Sequence, residues 1–137
     1  MSKLGNSLLS LGAAATGTVT ERRFVGFDDL QASVQGQKIK GISEYAAVAG
    51  DQFVVTAKGT AFVETGGIIS VGDPIISDSQ GRAITGSTIA IGAGATAVTS
   101  SAAAGAILTG SQTPDYRVGY ALEAASAAGQ FIEILIG

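Results

Sequence analysis

The chain has 137 residues, a net charge of −3 and no Cys or His; 46% of its residues are hydrophobic, only 14% are charged, and 20 are Gly. That length fits one domain with its own core, and so apolar a composition argues against disorder, just as glycines without a three-residue period argue against collagen. Eight scattered Lys and Arg give no basic face for nucleic acid, the missing Cys removes disulfides and thiolate metal sites, and no run approaches the ~20 apolar residues of a membrane helix.

Residues 1–18 stand apart. Leu4, Leu8 and Leu11 follow helical spacing, yet Gly5 and Gly12 weaken a helix so short. The stretch reads as an arm, extended or briefly helical. A single Lys before an apolar run broken by Ser10 and Gly12 is a poor match to a signal peptide. Leucines are not readily left in water, so Leu4, Leu8, Leu9 and Leu11, together with Val19 where the arm ends, are the candidate residues for contact with a neighbouring protein.

From Val19 the pattern is β. Val19–Phe27 and Gln37–Ala47 carry β-branched and aromatic residues. Gln52–Ala57 (QFVVTA) and Thr60–Thr65 (TAFVET) flank Lys58-Gly59, which predicts a two-residue hairpin. Pro74 belongs at a strand start or edge, since it lacks an N–H. Asp78-Ser79-Gln80-Gly81 is a turn, returning through Arg82–Ile84. Residues 86–113 are rich in Ala, Gly, Ser and Thr and carry no charge. They are expected to hold one or two weak strands, around Ile89, Ile91 and Ile107-Leu108, with a mobile or partner-facing tip. Arg117–Ala124 is a further strand, and Phe131–Ile136 (FIEILI) is an apolar strand, central or covered on both faces. Many short strands between turn signals predict an all-β fold, a small single-domain barrel or sandwich over 19–137 with an N-terminal arm.

Chemistry is sparse. Without His or Cys, catalysis would fall to a Ser–Lys pair or to paired carboxylates. No spacing singles out a serine for Lys38, Lys40 or Lys58. Asp28-Asp29, Asp73 and Asp78 all sit in turn-like contexts, where an Asp bonds backbone amides. The Asp78 turn lacks the remaining oxygens and terminal Glu of a calcium loop, and Gly92-x-Gly94 lacks the Lys-Ser/Thr and helix of a phosphate cradle. No catalytic, cofactor-binding or metal-binding residue is therefore assigned. The Ser/Thr-rich 85–113 segment and the Tyr116/Tyr120 pair leave a glycan- or receptor-binding module as the alternative.

Three stretches carry a resemblance: RRFVGFDD followed by GISEYAAVAGDQFVV; GTAFVETGGIISVGDPIISDSQGRAI; and the C-terminal GYALEAASAAGQFIEILIG. In order and spacing they resemble the phage capsid cement (head decoration) proteins, over Val19–Ile84 and Arg117–Gly137. The arm and residues 86–113 are not part of the resemblance, and the latter looks like an insertion. The resemblance implies a virion structural protein and not an enzyme: a cement protein that binds the major capsid protein on the outer surface of the head and locks neighbouring subunits together. It also implies a homo-trimer, assembly in the host cytoplasm, which the lack of Cys suits, and no nucleic-acid, membrane or cofactor partner.

Overall fold

Short β-branched and aromatic runs punctuated by Gly and Asp produce an all-β chain, as expected from their alternation. The structure is a computed structural model and describes residues 5–86 and 115–137, among which there is no helix. Its strands are β1 (Ser7–Ala14), β2 (Phe24–Val25), β3 (Gly41–Ser43), β4 (Gln52–Glu64), β5 (Pro74–Ser77), β6 (Ala83–Thr85), β7 (Gly119–Ala121) and β8 (Phe131–Ile136). They form one antiparallel sheet in the order β2-β3-β4-β8-β7-β5-β6, with β1 also on β4, which curls into a nearly closed barrel. Leu4, the weak strands expected around Ile89, Ile91 and Ile107-Leu108, and all of the 86–113 segment after Gly86 lie outside the described residues.

Several local readings hold. Pro74 opens β5, the Asp78 turn returns into β6, and FIEILI is β8, flanked by β4 and β7. The strands expected over Val19–Phe27 and Gln37–Ala47 shrink to β2 and β3, with a bridge joining Val19 to Ala47. The stretch read as an arm is extended and lies on the chain's own sheet as β1.

The predicted hairpin at Lys58-Gly59 is not formed. QFVVTA and TAFVET are one 13-residue strand, β4, that runs straight through. Gly59 does take a positive φ of 105°, but for a kink beside a β-bulge: the β1 register slips opposite Lys58 and Gly59. A Cβ there would sit 2.3 Å from the Asn6 carbonyl oxygen. The kink lets β4 change partners. Val55 and Thr56 pair with β3, whereas Gly59–Glu64 pair with β8. It also switches which side chains face the barrel interior, from Thr56 to Ala61 and Val63.

The two halves of the sheet repeat one pattern. In the first, Ala13 pairs with Phe53, Phe24 with Ile42, and Ile42 with Thr56; in the second, Val63 pairs with Ile132, Pro74 with Tyr120, and Tyr120 with Leu135. Backbone bonds outside the strands match as well. Val19 and Ala47 exchange N–H···O bonds of 2.8 and 2.9 Å, and so do Ile69 and Ala125. Arg22 N–H donates to Ser43 O, and Gly72 N–H to Ala121 O; both Arg22 and Gly72 have positive φ. Gly41 and Gly119 are also equivalent: a Cβ would meet the Thr56 oxygen at 2.3 Å in one and the Leu135 oxygen at 1.8 Å in the other. The described residues are thus two copies of one β unit, 7–58 and 59–86 with 115–136, sharing β4.

The core follows the same division. Ala13, Val19, Val25, Ala47, Phe53 and Val55 form a small cluster in the first unit. Their counterparts Val63, Ile69, Ile75, Ala125, Ile132 and Ile134 lie in the larger cluster, inside the barrel. That cluster also takes Phe24 and Ile42 from the opposite face of the first unit, so β2 and β3 are buried on both faces.

Candidate interaction surfaces

β1 reads SLLSLGAA, with no charge and no Pro. Strand alternation splits its residues between two faces and two edges. Ala13 is buried in the small cluster and Leu11 is half-buried, whereas Leu8 and Leu9 are 77% and 44% exposed. The Ala15 N–H donates to Asp51 O at 2.8 Å. By alternation Leu11 and Ala13 also direct their backbone groups towards β4, and Ser10, Gly12 and Ala14 direct theirs away from it. Among the described residues no strand pairs with that outer edge. Natural edges are usually blunted by charge, Pro or a covering loop; the outer edge of β1 carries neither charge nor Pro.

The structure brings Leu8, Leu9 and Leu11 together on this strand. Val19 lies elsewhere: its side chain is buried in the small cluster and its backbone is tied to Ala47.

A second apolar surface covers the outside of the barrel in the second unit. Pro74, Tyr120, Leu135 and Thr60 are successive cross-strand partners on β5, β7, β8 and β4. Tyr120 and Leu135 are each 45% exposed, and Phe131, on the same face of β8, is 53% exposed. Phe131 opens the strand that reads in the sequence as central or covered on both faces. One extra residue in the second unit's turn explains its exposure. Ala47 is followed by Gly50 in the first unit and Ala125 by Gly129 in the second, where Gly50 and Gly129 donate to the equivalent Ala15 and Thr65 oxygens. The insertion sets Gln52, and not Phe53, opposite Phe131's position, and a one-residue shift reverses the facing of every side chain.

The carboxylates singled out in the sequence serve turns. Asp28 Oδ1 accepts the Leu30 N–H, Asp29 pairs with Lys40, and Asp73 Oδ2 accepts from Ser70 N–H and the Thr85 hydroxyl. Asp78 accepts from the Gln80 and Arg82 N–H groups at 2.8 Å and from Arg82 Nε at 2.9 Å. Lys38 stands over the Tyr116 ring, 5.0 Å from its centre, and both line a pocket of about 390 Å³ with Asp28 and Val34. Tyr120 is not in that lining, so the two tyrosines do not form one platform. Among the described residues no three acidic side chains are grouped to hold a metal ion.

Comparison with known proteins gives a family and a fold. The family described as phage cement protein matches residues 5–108. The match therefore includes β1, which the resemblance in the sequence does not, and it stops short of 117–137, which carries part of that resemblance. The solved structure of the head fiber gp8.5 N base of bacteriophage phi29 is similar, with a TM-score of 0.60 and 20% identity, over 94% of this chain and 93% of that one. No curated protein matches.

Proposed function

This chain belongs to the phage cement protein family, a component of the capsid, and on that premise we propose that it binds the major capsid protein on the outer surface of the head through β1. The observation that carries this reading is the outer edge of β1, uncharged and unpaired among the described residues, with Leu8 and Leu9 beside it. An extended segment of the shell adds to that edge by main-chain hydrogen bonds, and the two leucines supply apolar contact. Each fully buried Leu contributes ~1.5–3 kcal/mol. A modest contact suffices, because copies linked to one another and repeated on a fixed lattice gain avidity. The copies form a homo-trimer, assemble onto heads in the host cytoplasm, and work by holding subunits and not by catalysis.

The test is co-sedimentation of the purified chain with empty shells. Leu8→Glu with Leu9→Glu is expected to lower occupancy at least tenfold while leaving the thermal unfolding curve in place. Full occupancy by this variant would remove β1 from the interface.

A further inference from the structure

We propose that the outer face of the second unit, built from Pro74, Tyr120, Leu135 and Phe131, is where copies of this chain contact one another. The proposal deepens the preceding reading, since it names the face that holds the oligomer together. It rests on the internal duplication. In the first unit the equivalent row is Phe24, Ile42 and Thr56, paired in the same register. There Phe24 and Ile42 are 0% exposed and Thr56 2%, and Phe24 and Ile42 share one core cluster with Ile75, Ile132 and Ile134 of the second unit's interior face. One copy of this row is therefore already covered by a sheet of the same motif. The other copy faces outwards and is at least as apolar: Tyr120 and Leu135 replace Ile42 and Thr56, and the turn insertion adds Phe131.

The acidic groups at this face are engaged within the chain, which lowers the repulsion between two such faces. Glu64 pairs with Arg23, Glu123 accepts the Glu133 N–H at 3.3 Å, and Glu133 is itself buried. In a trimer three such surfaces converge on the three-fold axis, each meeting the other two, with their apolar side chains packed together there. An apolar face that would otherwise stand in water is thereby covered.

Light scattering on the purified full chain reads the mass directly. The wild type is expected to be a multimer of its 13.5 kDa chain. Tyr120→Glu with Leu135→Glu is expected to be monomeric, with a cooperative melting curve like that of the wild type. Leu135→Thr, which installs the residue found at the equivalent Thr56, covers the case in which the double variant fails to fold, and is expected to weaken self-association about tenfold. A wild-type monomer at high concentration, or a multimer unmoved by these substitutions, would overturn the proposal. So would variants that keep the multimer but lose shell binding, because they would assign this face to the capsid. Leu8→Glu with Leu9→Glu is the discriminating control: it should retain the multimer, so loss of shell binding there reports on β1 alone.

Discussion

Asp78 ties its turn together from a nearly buried position. Its carboxylate accepts two backbone N–H bonds and pairs with Arg82 Nε while only 8% exposed. Asp78→Ala is expected to cost ~2 kcal/mol, the range for hydrogen bonds to a charged group, seen as a lower urea midpoint; a change under ~0.5 kcal/mol would mean that water replaces the carboxylate freely. Gly59 makes a sharper case. With φ at 105° and a Cβ position 2.3 Å from the Asn6 oxygen, Gly59→Ala is expected to cost at least ~2 kcal/mol, measured by the same unfolding curve. These two residues also mark what local sequence carries. The Asp78 turn was legible because its partners lie within four residues. Lys58-Gly59 was not, because a positive-φ Gly serves a hairpin and a bulged kink equally, and only the distant partners β3 and β8 decide between them.

β8 and β1 differ for a related reason. FIEILI is apolar at nearly every position, so it reads as a strand wherever it sits. In the stretch that forms β1, Leu4, Leu8 and Leu11 fall at helical spacing, with Gly5 and Gly12 against a helix; the strand exists because β4 offers it an edge. Its two faces can be told apart by neighbouring substitutions. Ala13 is buried in the small cluster, so Ala13→Asp places an unpaired charge there and is expected to cost ~3 kcal/mol or more. At Gly12 a Cβ meets nothing within 4 Å, so Gly12→Thr, a β-favouring change, is expected to leave stability unchanged or slightly raised. Equal effects of the two in urea unfolding would show that β1 is not held in this register.

Across the whole molecule, the all-β class was legible from turn spacing, with barrel and sandwich both left open, and the duplication was present but unaligned. The fragments AAVAGDQF, 46–53, and AASAAGQF, 124–131, share their small residues and their final Gln-Phe. Aligning them finds the repeat, yet it sets Phe53 against Phe131, one residue away from the structural match. The hydrogen bonds of Gly50 and Gly129 place the insertion in the turn, and only then does Phe131 emerge as a surface residue. The outward face of the second unit was hidden for that reason, whereas the exposed leucines of β1 were legible in the sequence. In the proposed reading both surfaces serve one task, the mechanical joining of a shell from many copies. The temperature at which DNA-filled heads lacking this protein release their genome, measured before and after adding the purified chain, tests that task most directly. The release temperature is expected to rise by several degrees and to level off once a fixed number of copies is bound per head. A release temperature that stays the same, with the chain left in the supernatant, would contradict the account.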